Sequence, residues 1–178
     1  MVTVRSTDDA TLRGVFAVKL PVRDLARSTA WYERVFGFEI DREFRDDDGV
    51  VRGVAGYLPG VTETFFTLRE SPAHARAVAG FNLVNLAVET KDSVAAWDRR
   101  LDELGIAHSP VIDATIGWML VLHDPDGIEL HLYSQQRHDI DQTGRPGYGS
   151  SLAHPSAAQA PDGEPRSGRS DTRRAAAP

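Results

Sequence analysis

The chain of 178 residues contains no cysteine. This absence excludes a disulfide framework, thiol catalysis and any zinc or iron–sulfur site built on cysteine. No apolar run is long enough to cross a membrane, and the polar N-terminus lacks the apolar core of a signal peptide. The sequence therefore predicts a cytoplasmic protein that does not associate with membranes.

The chain also lacks an excess of positive charge, with 20 Lys and Arg against 26 Asp and Glu. The formal net charge is −6 and the pI is near 5.5. Nucleic acids bind to a basic face, so we expect no nucleic-acid partner. Lysine is almost absent, because Lys19 and Lys91 are the only two in the chain.

Large apolar side chains are rare near the C-terminus. Residues 137–178 consist mainly of Gly, Pro, Ser, Ala and Arg, and such a segment cannot offset the entropy of ordering by burial. We predict a disordered tail over 137–178, a flexible arm over 1–13 and a single domain over 14–136.

The domain contains an internal repeat. The segment VKLPVRDLARSTAWYERVFGFEI, starting at Val18, is matched by VNLAVETKDSVAAWDRRLDELGI, starting at Val84. A constant offset relates Leu20 to Leu86 and Trp31 to Trp97, which indicates a duplicated supersecondary unit. The two units span about 14–70 and 81–134, and residues 71–80 link them.

Each unit has the pattern of a strand, a helix and three further strands. Alternating apolar residues predict the first strand, and Asp24 and Asp92 are candidate N-caps of the helices. Glycines Gly37 and Gly105 fit the left-handed C-terminal position. The later strands are predicted near 38–45, 51–58, 63–69, 107–112, 117–123 and 128–134, which defines an α+β protein.

The motif V-x-D-L-x-x-S-x-x-W-Y-x-x-V-F-G-F, from Val22 to Phe38, and the D-P-D-G turn at 124–127 resemble the vicinal oxygen chelate superfamily. That superfamily includes glyoxalase I, bleomycin-resistance proteins and extradiol dioxygenases. The resemblance covers roughly 14–134. It implies two tandem βαβββ units forming a cup-shaped mixed sheet, with helices outside and the ligand inside. The cup forms within one chain or across a dimer, and the apolar sheet edges predict a homodimer.

The resemblance also implies four metal-ligand positions, which map onto Ala17, Thr67, Leu83 and His131. Ala17 and Leu83 have no donor atom, and Thr67 is a poor neutral ligand. Because divalent ions need about three protein ligands, we expect neither a metal site nor another cofactor.

Strand alternation places one set of side chains on the concave face. Its aromatic members suit a planar organic ligand, although the same residues are compatible with a closed core. The predicted ligand-binding residues are Phe65, Thr67, Arg69, Phe81, Leu83, Asn85 and Tyr133, with Trp118 as a further aromatic candidate.

Three further residues on the concave face are candidates for binding an anion or for acid–base catalysis. Lys19 is placed to bind an anionic group or to stabilise an enolate, with Glu129 as its candidate partner. His131 is a candidate acid or base near neutral pH. The alternative for Lys19 is a structural role, in which it reaches the rim or forms an ion pair.

Three functions remain open. The favoured one is a metal-free protein that binds or sequesters a small aromatic or anionic compound, in resistance or secondary metabolism. The second is a metal-free isomerase, lyase or cyclase that uses Lys19 and His131, with Glu129, as acid and base groups. The third is a metal-dependent lyase or dioxygenase whose ligands are relocated to Glu129, His131 and a more distant histidine.

Overall fold

A computed structural model describes residues 12–142 and 144–148. The elements confirm the α+β class and two βαβββ units. The first unit comprises β1 (Ala17–Val22), α1 (Leu25–Phe36), β2 (Glu39–Arg45), β3 (Val51–Leu58) and β4 (Val61–Glu70). The second comprises β5 (Asn82–Val88), α3 (Lys91–Glu103), β6 (Ile112–Asp113), β7 (Trp118–His123) and β8 (Glu129–Ser134).

The link between the units contains a short helix that the sequence did not predict. This helix, α2 (Pro72–Val78), begins with proline in its first turn, where the missing N–H has no helical partner to lose. The strand predicted over 107–112 is much shorter in the structure, because only Ile112 and Asp113 form β6. None of the helices within the described ranges is long and apolar enough to cross a membrane.

Each unit builds its own four-stranded mixed sheet, with orders β1-β4-β3-β2 and β5-β8-β7-β6. The pairs β1–β4 and β5–β8 are parallel, whereas the other neighbours are antiparallel. No strand pairing joins the two sheets in the part of the chain that the structure describes. Each unit therefore presents its own sheet face.

One of the two predicted helix N-caps is correct. The Asp24 side chain accepts a hydrogen bond from the Arg27 backbone N–H at 2.9 Å. The prediction for Asp92 is wrong, because Thr90 caps α3 through a capping box with Ser93. Asp92 lies instead in the first turn, where a negative charge interacts favourably with the helix dipole.

The hydrophobic core lies between the helices and one face of each sheet. Trp31 and Trp97 are partly buried against this core, as the helical periodicity predicts. The helix layers of the two units meet, since the rings of Phe36 and Trp97 are 5.5 Å apart. The opposite side of each sheet carries no helix, and we call these two surfaces the first and second open faces.

The D-P-D-G turn fixes the second unit to helix α1 of the first. The Asp126 carboxylate accepts hydrogen bonds from Arg23 Nε at 2.6 Å, from Arg27 Nη2 at 2.6 Å and from Ser28 Oγ at 3.1 Å. Asp126 itself is 3% exposed. We call the contacts between this turn and α1 the inter-unit junction.

Asp124 completes the junction. It accepts hydrogen bonds from Tyr32 Oη at 3.1 Å and from the backbone N–H groups of Asp126 and Ile128. Burial raises the pKa of Asp124. Burial and the neighbouring Asp124 carboxylate raise the pKa of Tyr32. Burial also tends to raise the pKa of Asp126, but hydrogen bonds from Arg23 and Ser28 and the charge of Arg27 outweigh it, so that pKa is lowered.

The ordered domain continues beyond the boundary predicted at residue 136. His138 Nε2 lies 2.7 Å from the Ala114 carbonyl oxygen, and the His138 ring packs edge-on against Trp118. Gln142 is 5% exposed and donates a hydrogen bond to the Asp113 carbonyl. These contacts are polar, so apolar periodicity does not reveal them. The remainder of the predicted arm and tail, residues 1–11, 143 and 149–178, lies outside the described residues.

Two truncations test the role of residues 137–142. Deletion after Gln136 removes the contacts of His138 and Gln142, and at about 1 kcal/mol for each net hydrogen bond we expect Tm to fall by roughly 3–8 °C. Deletion after Tyr148 keeps these contacts and serves as the matched control. Equal melting temperatures of the two truncated proteins in thermal denaturation would show that the segment adds nothing to stability.

Candidate ligand-binding site

The main cavity lies on the first open face and has a volume of about 630 Å³. This volume is typical of sites for small organic ligands. All its lining residues belong to the first unit: Phe16, Ala17, Lys19, Arg42, Phe44, Ala55, Phe65, Thr67 and Arg69. Lys19, Phe65, Thr67 and Arg69, which alternation predicts on one concave surface, line this cavity together, and their role in ligand binding stays a prediction.

Aromatic side chains form one wall of the cavity. The rings of Phe16 and Tyr57 lie 5.6 Å and 4.7 Å from that of Phe65. Phe16 is 78% exposed and Phe44 is 45% exposed, so these aromatics do not close into a core within the chain. Flat, accessible rings of this kind can stack on a planar ligand.

Three cationic side chains line the same cavity. Arg69 donates a hydrogen bond to Asp46 at 2.5 Å, and Arg42 donates one to Asp41 at 2.8 Å. Lys19 is exposed and has no ion-pair partner among the described residues. Lys19 is therefore the cavity's unpaired cation.

The second open face carries a carboxylate–imidazole pair. Glu129 Oε1 lies 2.6 Å from His131 Nε2, and Glu129 Oε2 lies 3.8 Å from His123 Nε2. Within one chain, Glu129 contacts these two histidines and the expected pairing with Lys19 does not form. Strand register explains why: His123 lies opposite Glu129 on β7, and His131 is two residues along β8 on the same face.

Of the other predicted residues of the second unit, four lie on the second open face and Trp118 does not: the four are Phe81, Leu83, Asn85 and Tyr133. Phe81 is 64% exposed and Leu83 is 37% exposed, and Asn85 is also exposed, beside His131 in the strand register. Tyr133 lies on the same face and accepts a hydrogen bond from the Ile116 backbone N–H.

Trp118 does not belong to this surface. It lies on the same side of β7 as the buried Leu120 and Leu122 and packs against the core. Lys91 Nζ lies 4.9 Å from its ring. The placement of Trp118 on the concave face is wrong, because Trp118 has the same strand parity as the buried Leu120 and Leu122 and therefore faces the helices.

Lys19 and His131 lie on different sheets. The cavity that contains Lys19 includes no residue of the second unit, and His131 contacts Glu129 of its own sheet. The chain by itself therefore does not bring the two predicted acid–base residues into one cavity.

Sequence reasoning missed Phe16, Arg42 and Phe44 in the cavity lining. An irregularity in the β2–β3 pairing at residue 41 places Arg42 opposite Ala55 and Phe44 opposite Gly53. Alternation within β2 could have indicated Arg42 and Phe44, but the bulge decides which side chains of β2 face the cavity. Gly56 allows the close strand approach there, since a Cβ atom on it would lie 1.8 Å from the Glu39 carbonyl oxygen.

A sequence profile of the Glyoxalase/Bleomycin resistance protein/Dioxygenase superfamily matches residues 14–132. The chain belongs to this superfamily, and the resemblance read from its motifs is confirmed. No curated protein sequence matches the chain.

Solved structures share the fold. A glyoxylase/bleomycin resistance protein/dioxygenase domain from Frankia sp. EAN1pec is 25% identical, with a TM-score of 0.53, and the match covers 71% of this chain and 100% of that one. TnmS3, an antibiotic binding protein from Streptomyces sp. CB03234, is 23% identical (TM-score 0.54, 69% and 96% covered). A mutant of FosX, a fosfomycin resistance protein from Listeria monocytogenes, is 16% identical (TM-score 0.56, 71% and 95% covered) and was solved with Mn(II).

The residues of this chain do not fit a metal ion at the positions that the superfamily implies. Ala17 and Leu83 offer no donor atom, and Thr67 is 6% exposed within the first sheet. His131 is the single good donor, and it is engaged by Glu129. Within residues 12–142 and 144–148, no group of three or more His, Asp or Glu side chains is arranged to hold a metal ion.

This donor set predicts that the purified protein holds no stoichiometric divalent ion. We expect chelator treatment to leave both Tm and ligand affinity unchanged, because removing a structural or catalytic metal would lower one of them. Elemental analysis is the direct measurement. About one zinc, iron, nickel or manganese per chain would contradict the prediction.

Proposed function

We propose that the protein binds a small, anionic aromatic compound without a metal ion, in a resistance or secondary-metabolism role in the cytoplasm. The observation that carries the proposal is the cavity on the first open face, where aromatic rings surround an unpaired lysine. Rings provide stacking area, and an ammonium group provides a charge-assisted hydrogen bond to a carboxylate or phenolate.

The names of two similar solved structures support this role. One solved structure with the same fold is an antibiotic binding protein, and another is a fosfomycin resistance protein. Both names describe proteins that handle small organic molecules. The proposal for this chain differs from a metal-dependent reaction because its donor set does not fit a metal ion.

The proposal includes a homodimer in which a second copy covers the cavity. Both open faces expose large apolar side chains, with Phe16 and Phe44 on the first and Phe81 and Leu83 on the second. Pairing the first open face of one copy with the second open face of another would bury these side chains. It would also enclose the ligand between two sheets.

Matched ligand pairs test the proposal. Aromatic carboxylic acids and their primary amides have nearly the same shape but differ in charge, so isothermal titration isolates the contribution of the anion. We expect the acids to bind at least about tenfold more tightly, since a charge-assisted hydrogen bond contributes roughly 1.5–3 kcal/mol. Equal affinities for acids and amides would overturn the anionic part of the proposal.

A metal-free isomerase, lyase or cyclase is the second candidate function. The observation that favours it is the 2.6 Å contact between His131 Nε2 and Glu129 Oε1, since a carboxylate that orients an imidazole is a common arrangement for a general base. In the proposed dimer, this pair of one copy would face Lys19 of the other.

The variant His131→Gln distinguishes binder from enzyme. For a binder we expect a modest change in affinity and no product. For an enzyme we expect turnover to fall by about 10²–10⁴-fold with binding retained, which is the usual contribution of a general acid or base. Product analysis by mass spectrometry on bound ligands is the measurement. A variant that unfolds without changing ligand handling per folded molecule would assign His131 a structural role.

A further inference from the structure

A second cavity of about 580 Å³ lies at the inter-unit junction, on the helix side of the molecule. Helix α1 forms one wall, and the end of β7 together with loops of the second unit forms the other. It shares no lining residue with the cavity on the first open face. Its lining residues are Arg27, Ala30, Trp31, Arg34, Gly105, Ile106, Ala107, His123, Asp124 and Pro125.

The α1 wall presents two guanidinium groups and an indole. Arg27, Trp31 and Arg34 follow the i, i+4, i+7 spacing of one helix face, which places the two arginines about 10 Å apart along the helix axis. Arg27 binds Asp126 through Nη2. Arg34 is exposed and has no hydrogen-bond or ion-pair partner in the part of the chain that is described.

The carboxylate among the lining residues is already fully engaged. Asp124 is 5% exposed, and its oxygens accept hydrogen bonds from Tyr32 Oη and from two backbone N–H groups. The neighbouring Asp126 is neutralised by two arginines. Arg34 therefore supplies the unpaired positive charge of this cavity, and the N–H groups of Arg27 that do not bind Asp126 supply further hydrogen-bond donors, although the chain as a whole has a net charge of −6.

We propose that this junction cavity is a second binding site, which takes a small organic anion bearing a planar ring. The ring packs on Trp31, and a phosphate or carboxylate group binds Arg34 and the free N–H groups of Arg27. Guanidinium groups bind both anions through paired hydrogen bonds. Since the site is formed by both units, its ligand stabilises the docked arrangement and raises Tm.

The test uses the full chain and two probes, 1-naphthyl phosphate and 1-naphthoate, which separate the two anion types. Titrations are made on Lys19→Met, so that the first open face contributes little binding. In that background we expect saturable binding of at least one probe with a rise in Tm. Adding Arg34→Gln should weaken it at least about tenfold, as expected for a lost charge-assisted hydrogen bond.

Arg99→Gln is the matched control, because Arg99 is an exposed helix arginine that lines neither cavity. We expect it to leave probe affinity unchanged. The proposal is overturned if neither probe binds the Lys19→Met protein, or if Arg34→Gln and Arg99→Gln weaken binding equally. Circular dichroism of each variant confirms that loss of binding is not loss of fold.

Discussion

Replacing Lys19 by methionine should weaken binding of an aromatic acid by roughly 10–100-fold. Lys19 is the unpaired cation of the main cavity, whereas Arg42 and Arg69 are engaged by aspartates. Methionine keeps most of the stem and removes the charge, so the loss corresponds to one charge-assisted hydrogen bond, about 1.5–3 kcal/mol. Because Lys19 is exposed, the free energy of unfolding should change by no more than about 0.5 kcal/mol.

A double comparison makes this prediction specific. The acid should lose affinity in Lys19→Met, while its primary amide should bind both proteins equally, because the amide has no charge to lose. Lys91→Met is the matched control, since Lys91 is the only other lysine and lies over Trp118 on the helix side. If the acid binds Lys19→Met as tightly as the unchanged protein, Lys19 does not contact the anion.

Among these substitutions, replacing Asp126 by asparagine should lower the free energy of unfolding the most. The buried carboxylate accepts hydrogen bonds from Arg23, Arg27 and Ser28, and the asparagine NH₂ group would face donors. We expect unfolding to become easier by about 1–3 kcal/mol. The estimate stays moderate because the Arg23 and Arg27 side chains are 43% and 46% exposed, so solvent screens their charges.

The pH dependence of this loss has a definite sign. The pKa of Asp126 is lowered in the folded state, so its charge stabilises the fold above the unfolded pKa of about 3.9 and stops doing so as pH falls through the folded pKa. The difference in unfolding free energy between the unchanged protein and Asp126→Asn should therefore shrink in acid. The raised pKa of Asp124 acts in the opposite direction, because protonation of Asp124 favours the fold. Asp124 is present in both proteins.

Urea denaturation at neutral pH and near pH 3 measures this difference. Asp47→Asn is the control, because Asp47 is an exposed turn residue whose loss should cost less than about 0.5 kcal/mol. A difference for Asp126→Asn that is the same at both pH values would show that its charge does not hold the junction.

The fold was largely predictable because the signals that specify it are local. The repeat beginning at Val18 and Val84 has the periodicity of its strand and helix, and Gly37 adopts the left-handed φ of 70° expected after α1. The misassigned N-cap shows the limit of this reasoning. Thr90 and Asp92 are both chemically suitable caps, and the choice depends on where packing starts the helix.

The candidate site was less predictable because it depends on register and on how the units pack. Phe65 and Thr67 follow from alternation along β4, but Arg42 depends on the bulge at residue 41 of β2. The pairing of Lys19 with Glu129 assumed that the two units share one concave surface. The junction made by Asp126 instead docks the helix sides together, and the sequence alone does not specify that docking.

Native mass spectrometry of the protein isolated from its own host tests the central claim most directly. We expect the mass of two chains carrying a noncovalent organic ligand, released as an aromatic acid or phenol on denaturation, with no metal adduct. A stoichiometric metal ion in place of such a ligand, or a bound molecule that is neither aromatic nor anionic, would contradict the account.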